Sequence, residues 1–443
     1  MAQAMATMKQ QVVQSHGIYH GLPVHGDEHK GLTAIVTGAN GISGQHMVRV
    51  LAQSPSRWSK IYCLSRRPPA GTQLPVNATH ISVDFLSKPE AIAAVLHEYG
   101  ITRADHVFFF SYIQVAPMPG RGLWSNTEQM CIKNMELLSN FLTALTQVAI
   151  VPRRVLLQTG AKQYGVHLGP AKVPAEETDP RVLLEPNFYY PQEDYLFRWC
   201  AAAGVGWNVV RPSFILGAVQ DAAMNLIFPL AVYAAVAKKM GRKIEFPGDM
   251  EAWETLQDQS SAMLNGYLEE WAVLTEDAKD QAFNGTDGSH FTWSQFWPRL
   301  AKVFGVEWEG PVLDPKQYEV IKIPGEETPR GYGPQTEIRR RFSIVEWAKR
   351  LDVQKAWEEL AREHNLLNKE LTDADRVFGF LQGALENAVR VNLSMDKARR
   401  FGFFGTVSSS DCILEVIQDF VNLKMIPSVQ ALDFAVKSPN SLL

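Results

Sequence analysis

The chain has 443 residues, 46% hydrophobic and 20% charged, with Lys+Arg 43 against Asp+Glu 47 and a formal charge of −4. At about 100–200 residues per domain this allows two or three domains with ample core, and it excludes a disordered or low-complexity chain. The missing basic excess argues against a nucleic-acid binder, and the widely spaced Cys63, Cys131, Cys200 and Cys412 argue against a disulfide scaffold or a cysteine zinc site.

Residues 1–30 are polar and aperiodic, with His16, His20, His25 and His29 set among glycines and Pro23. They read as an extended arm with solvated histidines, not as a metal site, and they lack the apolar run of a signal peptide. From Thr33 strands and helices alternate. Thr33–Thr37 is a β-branched strand, and Ile42–Gln53 has helical spacing. Further strands are expected at Lys60–Ser65, His80–Phe85, His106–Tyr112, Arg154–Thr159 and Trp207–Arg211, with helices at Pro89–Glu98 and Asn126–Gln147. Apolar strands separated by helices predict a parallel sheet covered on both faces, the α/β doubly wound Rossmann fold, over residues 31–212. Residues 213–443 read as a smaller, mostly helical, substrate-covering domain. It should contain helices at Trp293–Val303 and Leu371–Val391, a Pro/Gly-rich loop at Gly310–Tyr332, and a short return to the sheet near 282–288. Asn225–Ala237 contains Pro229 and is shorter than the ~20 residues of a membrane span, so it reads as a buried helix. The final Ser-Leu-Leu lacks the basic residue of a peroxisomal address, and a soluble cytoplasmic protein is expected.

TGANGISG places Gly38, Gly41 and Gly44 directly between the first strand and the first helix, with Asn40 and Ile42 in the same turn. The glycines serve a tight turn, close backbone approach to a pyrophosphate, and close helix–strand packing. The helix N-terminus adds unpaired N–H groups and partial positive charge. An NAD site usually ends its second strand in Asp or Glu. Here that position reads Ser65-Arg66-Arg67, where a guanidinium pair suits a 2′-phosphate. NADPH/NADP is therefore the expected cofactor, and no metal is expected. Asp84 and Phe85 end the third strand where an adenine would lie.

Short-chain dehydrogenases usually carry Tyr-x-x-x-Lys on one helix. The one match, Tyr318–Lys322, lies in the Pro/Gly-rich stretch and reads as accidental. LLQTGAKQYG, with Lys162 and Tyr164, and NFYYPQED, with Tyr189 and Tyr190, should both reach the carboxyl edge of the sheet, where ligands bind. A phenol near an ammonium can stabilise a developing oxyanion, although spacing alone leaves a packing role equally open.

With SRRP, HVFFFSY, VVRPSFILG, MNLIFPLAVYAAV, AFNGTDGSHFTWSQFW and SMDKARRFGFFG in the same order, these blocks resemble the progesterone 5β-reductase/iridoid synthase-like family of short-chain dehydrogenases. The resemblance implies an NADPH-dependent enone reductase with Lys162 and Tyr189 as the catalytic pair and Tyr190 as a neighbour. It further implies cofactor contacts from Ser111, Tyr112, Asn134, Gln158, Thr159, Pro212, Ser213 and Ile215. Tyr112 stands where plant members usually have tryptophan, and Gln163 where a histidine is common. Pro191-Gln192 and residues 310–350 also depart from the pattern, which puts the substrate in doubt more than the cofactor. Phe214, Met224, Phe228, Tyr233 and Trp253, with Trp293, are pocket candidates weighed against plain core roles. Arg339-Arg340-Arg341 reads as a solvated run.

The expected function is 1,4-reduction of a small apolar enone, with no nucleic-acid partner and no membrane span; a homodimer is the assembly kept open. The alternatives are a carbonyl reductase or epimerase, a recruited cyclase or isomerase, and a catalytically silent NADP-binding regulator.

Overall fold

Two short strands come first, β1 (Val13–His16) and β2 (Tyr19–Pro23), paired antiparallel. Strands and helices then alternate: β3 (Leu32–Thr37), α1 (Ile42–Ala52), β4 (Trp58–Ser65), β5 (Ala78–Ser82), α2 (Pro89–Glu98), β6 (His106–Phe109), α3 (Thr127–Gln147), β7 (Arg154–Gln158), α4 (Tyr189–Ala203) and β8 (Gly206–Pro212). The computed structural model describes residues 11–69, 73–118, 124–169, 171–222, 224–322, 337–386 and 390–430.

Beyond β8 lie β9 (Phe214–Leu216), α5 (Ile227–Lys239), β10 (Ile244–Glu245), α6 (Met250–Glu254), β11 (Gln257–Ser261), α7 (Ala262–Leu274) and β12 (Gln281–Gly285). The main sheet has seven parallel strands in the order β12-β8-β7-β6-β3-β4-β5. Its strands are apolar on both faces because both are covered. Ile35, Val107, Phe109, Val155 and Leu157 pack toward α2, α3 and α4. The alternate residues Ala34, Val36, Phe108 and Leu156 pack with α1 and α7, the period of two that a pleated strand dictates. β12 returns from the C-terminal part to lie beside β8, with Ala282 opposite Val209. β9 leaves the sheet to pair with β11, Ile215 opposite Ser260.

α5 is buried from Ile227 to Ala237 and packs among the helices Leu351–Glu363, Ala374–Glu386 and Ser409–Asn422. An all-round apolar helix needs such a jacket. Among the described residues no helix is long and apolar enough to cross a membrane.

The N-terminal segment departs from the expected solvated arm. Tyr19 and Leu22 are buried, and the hairpin is clamped to a distant loop by reciprocal 2.9 Å bonds between the backbones of His20 and Thr406. His25 lies 4.0 Å from the Glu270 carboxylate. The expected loop over 310–332 contains strand Glu319–Lys322, paired with Glu337–Arg340 outside the main sheet; residues 323–332 fall outside the described residues. The Tyr318–Lys322 match sits in this hairpin region, with the Tyr318 hydroxyl donating to the Val312 carbonyl at 3.0 Å. The arginine run is not simply solvated: Arg340 pairs with Glu319 at 3.0 Å and Arg341 with Glu309 at 2.7 Å. The expected helix over 371–391 runs from Ala374 to Glu386, and 387–389 fall outside the described residues, as does the final Ser-Leu-Leu.

Leu22 separates the two readings of the N-terminus. Leu22→Ala should cost about 2–5 kcal/mol if its side chain is core, against almost nothing for a solvated arm. Equilibrium denaturation of the two proteins measures it, and an unchanged midpoint would return the hairpin to the solvent.

Candidate active site

The cradle begins where β3 stops at Thr37. Gly38 has φ +62°, and a Cβ there would lie 2.8 Å from the Phe110 carbonyl oxygen, so the turn needs glycine twice over. A Cβ on Gly44 would collide with the carbonyl of Gly38, which sets how closely α1 approaches the strand. Asn40, Gly41 and Ile42 are half-buried at the opening, and the Gly41 N-cap has no side-chain partner for the helix N-terminus. That leaves backbone N–H groups available to an anion.

The neighbouring strand ends frame this opening. The Thr37 hydroxyl accepts from the N–H groups of Phe110 and Ser111, at 3.1 and 3.3 Å. Asn134 is fully buried and closes both of its amide groups on Ile113, at 3.0 Å each. It therefore holds the loop that carries Ser111 and Tyr112. Gln158 donates to the Ser43 hydroxyl at 2.9 Å, while its Oε1 and the Thr159 hydroxyl are buried with no partner among the described residues. Buried polar atoms rarely stay unpaired. Two orphans beside a glycine cradle and a free helix N-terminus fit the phosphates and polar groups of a dinucleotide.

At the other end, Ser65 turns back to the Arg67 carbonyl at 2.7 Å, leaving Arg66 and Arg67 exposed beyond it. Asp84 is exposed and caps its own turn through the Leu86 N–H. The Phe85 side chain packs at 5.1 Å against Phe141 in the core, so any adenine contact there falls to backbone. Ser213 spends both polar groups on β11: its N–H reaches the Ser260 hydroxyl and its own hydroxyl the Asp258 carbonyl. That anchors Pro212, Ser213, Phe214 and Ile215 at the carboxyl edge.

Tyr190 and Tyr189 open α4 with opposite fates. The Tyr190 hydroxyl accepts from Val182 N–H at 2.9 Å and donates to the Gln163 carbonyl at 2.8 Å, so it is fully used. The Tyr189 hydroxyl has no hydrogen-bond partner among the described residues. It lies against Gly160, where an added Cβ would stand 3.1 Å from it, on the same edge as the Pro212 carbonyl. Burial, with the neighbouring Tyr112 phenol adding to it, pushes its pKa well above the ordinary phenol value. Phe188 lies between the two, 4.6 Å from Tyr189 and 5.8 Å from Tyr112.

Among the described residues no hydrogen bond joins Lys162 to Tyr189. Its ammonium lies over the Trp124 ring, 4.6 Å from the centroid, and burial lowers its pKa to about 8 against the opposing charges of Glu185 and Cys131. One side chain links the two segments: Asn187 donates to the Lys162 carbonyl at 3.0 Å and accepts from the Tyr189 N–H at 3.1 Å. Tyr164 is structural, its hydroxyl donating to Asn284 in a buried network. Of the pocket candidates, Phe214 and Met224 are half-buried, and Phe214 meets Phe380 at 5.5 Å. Phe228, Tyr233, Trp253 and Trp293 belong to the core: Phe228 packs on Phe420, Tyr233 bonds the Glu245 backbone, and the two tryptophans flank Trp297. Asn187 opens the NFYY block without a role read from sequence, and Glu185 stands just before it. Trp124 carries no sequence signal of its own.

The fold and its cradle define a dinucleotide-binding α/β protein. More particularly, the chain belongs to the PRISE-like Rossmann-fold family, whose description matches residues 34–323, and it is an oxidoreductase of the short-chain dehydrogenase type. It is 30% identical over 399 residues to the short chain dehydrogenase gsfE of Penicillium aethiopicum, spanning 89% of this chain and 99% of that protein. The 3-oxo-Delta(4,5)-steroid 5-beta-reductase of Arabidopsis thaliana is 29% identical over 418 residues, 89% of this chain and 93% of that protein. Epimerase Mth375 of Methanothermobacter thermautotrophicus shares the fold, with a TM-score of 0.56 at 15% identity across 89% of this chain and 93% of that chain.

The two adjacent tyrosines should respond differently to loss of the hydroxyl. Tyr190→Phe leaves a buried N–H and a carbonyl unpaired and should cost about 1–3 kcal/mol, while Tyr189→Phe should leave stability unchanged. Urea melts of both variants check this, and an equal loss in each would mean that Tyr189 also has a structural partner.

Proposed function

We propose that the chain is an NADPH-dependent reductase of activated C=C bonds, acting on a small apolar α,β-unsaturated carbonyl. The observation that carries this reading is the Tyr189 hydroxyl at the carboxyl edge of the sheet, on a half-buried side chain and without a hydrogen-bond partner among the described residues. When bound, NADPH supplies the hydride that adds to the β-carbon of such a substrate.

The protein's task is then to hold the carbonyl and stabilise the charge that develops on its oxygen. Tyr189 suits that task as a neutral donor. Its raised pKa keeps the proton on the phenol, and no hydrogen-bond partner claims it among the described residues. The low-dielectric setting makes a single O–H donor worth more than it would be in water. A proton from solvent completes the α-carbon. Lys162 holds a cation near the same edge, where it can meet the ribose hydroxyls. The Phe214–Phe380 pair and Met224 offer apolar surface beside Pro212 and Ser213. The choice of NADPH rests on Arg66 and Arg67, two exposed guanidiniums with no carboxylate on the strand end. Arg67 already draws the Asp221 carboxylate to 3.7 Å.

Two measurements test the reading. With a panel of cyclic and acyclic enones, the product should be the saturated ketone, and Tyr189→Phe should lower kcat by about 10²–10³-fold. Unchanged turnover removes Tyr189 from the chemistry, and an allylic alcohol as product would favour a carbonyl reductase. By calorimetric titration, replacing Arg66 and Arg67 with alanine should weaken NADPH binding by about tenfold or more and leave NADH unaffected. Equal affinity of the native protein for the two cofactors would exclude the preference.

A further inference from the structure

Lys162 sits in an enclosure built from four places in the chain. Trp124 offers its ring face to the ammonium at 4.6 Å, and Cys131 of α3 and Glu185 lie within electrostatic reach on other sides. Among the described residues no carboxylate forms a direct ion pair with Lys162, so its charge is sustained at a distance. Glu185 belongs to the connection before α4, yet it does not drift there. The His167 ring donates from Nε2 to its Oε1 at 2.6 Å, and the His167 side chain is only 11% exposed. Two residues later, Asn187 ties the same connection to the Lys162 carbonyl. The carboxylate is thus fastened by His167, and the connection that carries it is tied to the Lys162 backbone through Asn187.

We propose that Glu185, oriented by His167, is a positioning residue that keeps the Lys162 ammonium charged at the cofactor edge of the site. The inference rests on the reading of Lys162 as the cation that meets the cofactor. The charges agree in direction. Burial alone depresses the Lys162 pKa, and Glu185 is the largest influence raising it back toward the ordinary lysine value. Burial opposes ionisation of Glu185 as well, but the His167 bond, the His167 charge and Lys162 hold its pKa below the ordinary carboxylate value. Each group therefore favours the charged form of the other, the mutual stabilisation expected of opposite charges in a partly desolvated setting. Cys131, whose thiol is pushed up by burial and drawn back by Lys162, is the remaining titratable neighbour. The aromatic face of Trp124 supplies attraction without a proton-accepting atom, so it holds the ammonium in place but does not titrate with it.

The sign of the effect follows. Lys162 carries its charge below about pH 8 and loses it above. Removing the Glu185 charge lowers that limit, so the ammonium vanishes at a pH where the native protein still has it.

NADPH binding, followed by its fluorescence from pH 6 to pH 9, tests this without knowledge of the substrate. Native affinity should weaken as the pH rises through about 8, and K162M should lack that decline. E185Q should bind as well as the native protein at pH 6, which also shows that it is folded. At pH 8 it should bind about five-fold more weakly, because its decline has moved to lower pH by about one unit. H167L should move the decline the same way by less, and H167Q, which restores a donor to the carboxylate, should bring it back. A decline that persists in K162M overturns the Lys162 reading and this inference with it. A decline lost in K162M but unmoved in E185Q overturns this inference alone.

Discussion

Glu193 and Arg211 are buried to 2% and 5% exposure and meet at 2.9 Å. Much of the site depends on this one ion pair. Glu193 is one helical turn after Tyr189 on α4, and Arg211 precedes Pro212 at the end of β8. The pair therefore fixes the helix carrying the phenol to the strand end facing it. Arg211 also reaches the Glu177 carbonyl at 3.2 Å, and Glu193 takes a second guanidinium from Arg181 at 3.3 Å. The Glu177 side chain in turn accepts from the Asn284 N–H on β12. Removing either partner leaves an uncompensated buried charge, a loss of about 3–5 kcal/mol. An apolar pair of similar volume could serve stability as well, but it would not bring α4, β8, β12 and the 173–187 connection into one register.

With α4 fixed, finer constraints act on Tyr189. Gly160 leaves no Cβ against its hydroxyl, and Asn187 sets its backbone relative to Lys162. Gln192, on the same helix, donates to the Asn134 carbonyl at 2.8 Å, and Asn134 holds Ile113 in the loop of Tyr112. The two phenols on either side of Phe188 are thus hung from one helix through bonds that end on backbone atoms. Backbone anchors of this kind are rigid, which oxyanion stabilisation by a single donor requires.

Legibility followed local signals. The glycine turn and the apolar strands were readable because each feature is carried by neighbouring residues. Strand ends were not, since distant partners decide them. The run expected over 106–112 stops at Phe109 because the next two N–H groups turn to the Thr37 hydroxyl. β11 shows the limit most clearly. Its sequence, Gln257 to Ser261, is polar throughout, yet every residue is buried. It persists because Ser213, Gly285, Asp287 and Leu393 bond Asp258, Ser260 and Ser261 from across the fold. No periodicity announces such a strand. Phe85 shows the opposite case: an aromatic at a strand end suggested a ligand contact, and its ring packs on Phe109 and Phe141, which leaves its backbone at that end. The NFYY block named both tyrosines, but only the hydrogen bonds of Tyr190 show which hydroxyl is free.

The separation of Lys162 from Tyr189 bears on the chemistry. Where an ammonium touches a phenol it lowers the phenol's pKa and prepares it to exchange its proton. Here the ammonium is held on Trp124, and the phenol is pushed the other way by burial and by Tyr112. A phenol that keeps its proton is a poor acid for reducing an isolated carbonyl, where the alkoxide must be protonated outright. It is well suited to conjugate reduction, where the charge on oxygen is delocalised and the final proton goes to carbon. Under the proposed function the two residues therefore divide roles that a direct Tyr–Lys pair combines: the tyrosine is the proposed donor to the developing charge, and the lysine the proposed cation for the cofactor.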